Sequence, residues 1–232
     1  MRVWLLLGLL VGAAIGLWWG LGRIQEPQVF AGIVLGAWLV GGAMAYGGSR
    51  RRQSARLSLQ DYTVAAMFIG LLYVAVLPWR LGLGKVPIIH PFIYAIPFTA
   101  VLITGIRLIP KPGAATLMLF GEGLLYQLLG SGLNPLWWPD YLFQALVIDS
   151  FLLFTGDYAQ TLKSALAMGL LRSLVAYLYF YSVGAPFIWH TFYDRWYVVM
   201  QVSLGAAGSL VGAAIGRSLA RRVEAAFRFG GI

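Results

Sequence analysis

Two carboxylates carry the strongest chemical signal in this sequence. Glu122 stands in the middle of one apolar run, and Asp149 stands in the middle of the next. An ionised side chain in hydrocarbon is costly, so such residues face a protein interior or a wet cavity. Two acids on consecutive apolar segments therefore predict a polar pocket between those segments. With ~1.5 Å of rise per residue, Glu122 falls roughly 16 Å and Asp149 roughly 12 Å below the break joining the segments. Similar depths are expected for the two. Tyr126 lies one helical turn from Glu122 and shares its face. Gln127 and Gln144 bring amide groups to the same region.

The break itself reads Gly132-Leu133-Asn134-Pro135-Leu136-Trp137-Trp138-Pro139-Asp140. Its prolines make it stiff and its tryptophans make it flat-walled. Trp137 and Trp138 are expected to form an aromatic lip over the pocket. Further aromatics, including Trp189, Tyr193, Trp196 and Tyr197, flank the later segments. Trp and Tyr favour membrane interfaces in any case. An aromatic wall also suits a flat or cationic ligand. The candidate ligand contacts are Glu122, Tyr126, Asn134, Trp137, Trp138, Asp149 and His190. The implied ligand is a small, aromatic, neutral-to-cationic solute. Arg172 also lies within an apolar span, and an ion pair with Asp157 is the expected partnership, ahead of a reach toward Glu122.

Several chemistries have no support. There is no cysteine, hence no disulfide and no thiolate nucleophile. His90 and His190 are far apart, which argues against a zinc site. No Gly-x-x-x-x-Gly-Lys-[Ser/Thr] sequence is present, so ATP hydrolysis is not expected of this chain. Ser150 adjoins Asp149 but points elsewhere on a helix. No catalytic residue, metal or cofactor is expected, and the chain is not read as an enzyme.

The elements that must position these groups are membrane helices. Of the 232 residues 60% are hydrophobic, mean hydropathy is +0.78, and only 11% are charged; soluble proteins carry roughly 25%. Eight apolar segments are each near the ~20 residues a spanning helix requires. They cover about 3–22, 30–48, 62–79, 88–108, 114–133, 141–157, 164–187 and 197–219. With the N-terminus in the cytoplasm, twelve of the seventeen Lys and Arg fall inside and four outside, Arg172 lying within a span. The net charge of +9 thus reads as the positive-inside rule, not as a nucleic-acid surface. Both termini are expected in the cytoplasm, with the chain in the cell membrane. The run ending Gly16-Leu17-Trp18-Trp19-Gly20 is a poor cleavage site, so the first segment is read as an anchor.

The expected fold is an all-α integral membrane protein. A two-helix hairpin (1–48) precedes a basic cytoplasmic loop (49–60), a six-helix bundle (61–222) and a cytoplasmic tail (223–232). The loop carries Arg50, Arg51, Arg52 and Arg56 and is a topology determinant, with anionic lipid as a secondary partner. Small residues recur at helical spacing: Gly8, Gly12, Gly16 and Gly20, then Gly32 and Gly36, Ala66 and Gly70, and Gly208, Gly212 and Gly216. Such faces allow helix backbones to approach closely.

The run Lys111-Pro112-Gly113-Ala114-Ala115, the glycine-bearing helix with Glu122, and Gly130-Ser131-Gly132 before an outer loop resemble the substrate-binding S components of energy-coupling factor transporters. The likeness covers about residues 61–222 and is strongest to the thiamine and hydroxymethylpyrimidine branch. The additional N-terminal hairpin and the arginine run depart from that pattern. The resemblance implies a vitamin or vitamin-precursor importer subunit that captures solute near the outer face. It also implies a transmembrane coupling protein and two ATPases as partners, contacted through small-residue faces at Ala66 and Gly70. The other reading is a structural or assembly subunit of a larger membrane complex, motivated by the glycine faces, with Gly208, Gly212 and Gly216 also at a partner interface.

Overall fold

A computed structural model describes residues 57–78, 81–82 and 88–229. The predicted spans 3–22 and 30–48, the glycine faces of the hairpin and the arginines of the basic loop lie outside the described residues. Within them the chain is helical throughout, with no strand. Six α-helices follow in order: α1 Leu59–Pro78, α2 His90–Leu108, α3 Ala114–Tyr126, α4 Trp138–Thr155, α5 Leu162–Tyr179 and α6 Arg195–Phe229. Two of them end in wider, π-helical turns, α3 through Gln127–Ser131 and α5 through Phe180–Ile188. A 3-10 turn, Pro135–Trp137, leads into α4. α1, α2, α5 with its π-helical extension, and α6 are long and apolar enough to cross a membrane.

Local chemistry explains where the helices start. Ser58 and Asp61 cap α1 reciprocally: Ser58 Oγ donates to Asp61 Oδ2 (2.7 Å), and Asp61 N donates back to Ser58 Oγ (3.3 Å). Lys111 donates to the same carboxylate, tying the start of α3 to the start of α1. Pro139 sits in the first turn of α4, where its missing N–H costs nothing. Thr161 caps α5 by accepting from Ser164 N at 3.1 Å. α6 ends ten residues beyond the expected boundary at 219. Hydropathy falls where the arginines begin, but backbone hydrogen bonding continues, and no glycine or proline interrupts the chain from Arg217 to Phe229. At ~1.5 Å per residue this helix is roughly 52 Å long, well beyond the ~30 Å hydrocarbon core of a bilayer.

The six helices close into a ring, each packed on two neighbours, in the order α1, α2, α6, α5, α4, α3 and back to α1. α2 also touches α3 and α5, so it partly fills the centre. The closest seam is α2 on α6. A Cβ on Gly208 would overlap the carbonyl of Phe92, one on Gly212 that of Ile96, and one on Gly216 that of Ala100. Thr104 Oγ1 donates to Gly216 O at 3.0 Å, and Thr99 Oγ1 to Ser209 Oγ at 3.1 Å. The glycine face of α6 is therefore consumed inside the bundle, which corrects its expected role at a partner interface. Ala66, by contrast, is exposed, and a Cβ on Gly70 would meet nothing within 4 Å.

Polar contacts sort the two ends of the ring. At one end Arg107 pairs with Glu224 (2.7 Å) and donates to Ala159 O (3.2 Å), and Arg217 Nε donates to Gln160 O (3.0 Å). Lys111, Lys163, Arg221 and Arg222 lie at this basic end too. The opposite end carries Trp137, Trp138, Tyr181, Trp189, Tyr193 and Tyr197.

Candidate functional site

Glu122 points into the ring from α3 and is 1% exposed. Asp149, on α4, does not join it. Asp149 Oδ2 accepts from Thr116 N (3.0 Å) and Thr116 Oγ1 (2.6 Å), at the first turn of α3. The residue preceding that helix is Gly113, at φ +87°, a left-handed conformation that glycine adopts without strain. Glycine has no side chain with which to cap, so α4 supplies the capping carboxylate from across the interface. Thr116 precedes Glu122 by six residues, so Asp149 lies roughly 9 Å nearer the basic end than Glu122. The expectation of two acids at one depth is corrected: the contact with Thr116 sets Asp149 beside the first turn of α3, more than one turn from Glu122 along that helix.

The partner acid is Asp140. It lies in the first turn of α4 and is 8% exposed. Gln144, one turn on, donates Nε2–H to Asp140 Oδ1 at 2.8 Å. Gln144 Oε1 accepts from Arg172 Nε at 2.9 Å. Asp140 is also within electrostatic reach of both Arg172 and Glu122. The Arg172 guanidinium lies over the Phe98 ring, 4.1 Å from its centroid. One of its terminal nitrogens, Nη1, is buried without a hydrogen-bond partner. Four elements thus converge on one polar cluster: α3 through Glu122, α4 through Asp140 and Gln144, α5 through Arg172 and α2 through Phe98. The expected Arg172–Asp157 pair does not form. Asp157 instead accepts from Gln160 N (2.7 Å) and Thr161 Oγ1 (2.6 Å), bracing the turn before α5.

Asp140 escaped the sequence reading because it was taken as part of the break. The available signal was Pro139-Asp140 followed by Gln144, a proline-started helix whose acid and amide share a face four residues apart.

The break closes over this cluster. Asn134 Oδ1 accepts from Leu136 N at 3.0 Å and so initiates the 3-10 turn; its side chain is a cap. Gln127 Oε1 accepts from Asn134 N (2.9 Å) and from Trp138 Nε1 (3.2 Å), holding the loop to the end of α3. On the other side Tyr179 donates its hydroxyl to Leu136 O. Trp137 packs on Phe180 (6.2 Å between centroids), Trp189 (6.0 Å) and Tyr179 (6.5 Å). Its ring lies against Gly184, where a Cβ would come within 2.6 Å. The aromatic network continues from Phe180 to Tyr181, Tyr193 and Tyr197. The expected lip is thus a continuous aromatic cap, with Trp137 half-buried and Trp138 38% exposed.

The remaining expected contacts divide. Tyr126 is half-buried, one turn above Glu122. His190 is exposed and sits at φ +52° just past the π-helical end of α5, where it terminates the helix rather than facing the cluster. The cluster offers two carboxylates, one guanidinium and an amide between them: acceptors and donors, but no nucleophile next to a base. Comparison with protein-family models, with curated proteins and with solved structures finds no match for the chain.

Proposed function

We propose that this chain is a solute-binding membrane subunit whose binding groups are Glu122, Asp140, Gln144 and Arg172. The observation that supports this reading is the burial together of two acids, an amide and a guanidinium inside the ring, next to the break that carries the Trp137 aromatic cap. Charged side chains are retained within membrane bundles chiefly where they bind or move something, and a set this polar is an expensive means of packing helices. The guanidinium and the two acids suit a small solute with both donor and acceptor edges, and the aromatic cap suits a flat one. The positive-inside rule orients the basic end to the cytoplasm and the aromatic end outward, so solute would arrive from outside.

Under this proposal the chain works as the resemblance to S components implies. It captures a vitamin or precursor, and a transmembrane coupling protein with two ATPases drives release. Ala66 and Gly70 on α1 supply a small-residue face for such a partner, Ala66 being exposed and a Cβ on Gly70 meeting nothing within 4 Å. The assembly-subunit alternative rests on three glycine faces, of which the one with Gly208, Gly212 and Gly216 is engaged within the ring; the other two lie outside the described residues.

The test is direct. The purified chain in lipid nanodiscs is titrated with thiamine and with hydroxymethylpyrimidine, following tryptophan fluorescence and calorimetric heat. Saturable binding of either, lost in Glu122→Gln and weakened at least tenfold in Gln144→Ala, is expected. Binding that survives both changes would place the solute elsewhere.

A further inference from the structure

The basic end of α6 carries a second pattern, independent of the polar cluster. Val211, Ile215 and Leu219 are exposed, at 42%, 41% and 43%. Successive α-helical residues are ~100° apart, so Val211, Ile215, Ser218 and Arg222 fall nearly on one line down the helix. All four are exposed. Arg222 lies eleven residues beyond Val211, roughly 16 Å along the axis, close to half of a ~30 Å hydrocarbon core. The apolar stripe therefore ends in an arginine about one leaflet's thickness along the helix from Val211. Arg221 is exposed beside it. Among the described residues neither arginine has a hydrogen bond or ion pair. The nearby acid is Glu224, which accepts from both Nε and Nη2 of Arg107 at 2.7 and 2.8 Å. Arg217 is turned toward the loop before α5 by its bond to Gln160 O, whereas Arg221 and Arg222 are exposed.

We propose that this face of α6 binds an anionic membrane lipid, with the headgroup phosphate on Arg222 and Arg221 and the acyl chains along Val211, Ile215 and Leu219. The fit is one of charge and of length. A zwitterionic lipid matches the stripe equally well but brings no net charge to the two arginines. The contact also holds the extended part of α6 against the membrane surface, where the Arg107–Glu224 pair already anchors it from within.

The experiment uses the full chain in mixed micelles containing phosphatidylcholine and phosphatidylglycerol, with native mass spectrometry counting the lipids retained. Phosphatidylglycerol is expected to be enriched over phosphatidylcholine, by about fivefold for each arginine engaged, and the enrichment should fall as salt is raised. The Arg221→Gln/Arg222→Gln variant should lose it while retaining phosphatidylcholine unchanged. Ser218→Glu, which puts an acid on the same line, should lose it as well. Equal retention of the two lipids by the parent chain overturns the proposal. So does enrichment that persists in both variants, or a lipid-free dimer as the dominant species.

Discussion

Asp149 provides the sharpest test, because its position in the bundle assigns it a different task from the one its sequence context suggests. As a transverse cap on α3 it should matter to folding and not to solute binding. The carboxylate is 6% exposed and accepts two hydrogen bonds on one oxygen, from Thr116 N and Thr116 Oγ1. Bonds to a charged acceptor contribute about 1.5–3 kcal/mol each in soluble proteins. Inside membranes polar contacts between helices average nearer 0.6, with model peptides at about 1–2 kcal/mol, and a cap is typically worth ~1 kcal/mol. Asp149→Ala is accordingly expected to destabilise the chain by about 2–3 kcal/mol. Thr116→Val removes the hydroxyl bond and keeps the backbone one, so about 1 kcal/mol is expected. The double variant should then cost less than the sum of the two, with a coupling of about 1 kcal/mol. Reversible unfolding in sodium dodecyl sulfate mixed micelles, followed by circular dichroism, measures all four corners of the cycle. A stability for Asp149→Ala within 0.5 kcal/mol of the parent, together with no coupling to Thr116, would refute the cap. Solute affinity of the folded Asp149→Ala protein should equal that of the parent; a selective loss of affinity would return Asp149 to the binding site.

Three further outcomes follow from the packing. Gly212→Leu should prevent stable folding, since its Cβ alone would overlap Ile96 O, whereas Gly70→Leu, with nothing within 4 Å, should change stability by less than about 0.5 kcal/mol; thermal melts of the two in detergent give the contrast. Arg172→Met should cost about 3–5 kcal/mol by leaving Gln144 Oε1 without its donor and Asp140 without the buried cation in its reach, and Asp140→Asn in the same background should recover part of that loss. Arg107→Gln removes an ion pair whose side chains are 13% and 30% exposed, so about 1 kcal/mol or less is expected; a larger effect in high salt than in low would contradict an electrostatic origin.

The all-helical membrane character needed no more than composition, because apolar length and charge scarcity act on each segment separately. The body spans from α1 to α5 could be drawn to within a few residues on the same basis. The burial of Glu122 was legible too, since an acid in an apolar run must face a protein interior or a wet cavity. What one segment cannot reveal is its neighbour. Asp149 carries the same local signature as Glu122, and only the placement of α4 against the uncapped start of α3 separates a cap from a binding group. Arg172 is equally ambiguous along the chain, and packing of α5 beside α4 directs it to Gln144 instead of Asp157. Gly208, Gly212 and Gly216 announce a close helix contact without naming its partner; the ring supplies α2. Asp140 looked like loop because the break that precedes it is fixed by contacts distant along the chain, Trp137 packing on Tyr179 and Phe180 about forty residues on. Residue type and period are local quantities and are written in the sequence. Depth, pairing and the face that remains open depend on which helices close the ring, and the tertiary structure decided those.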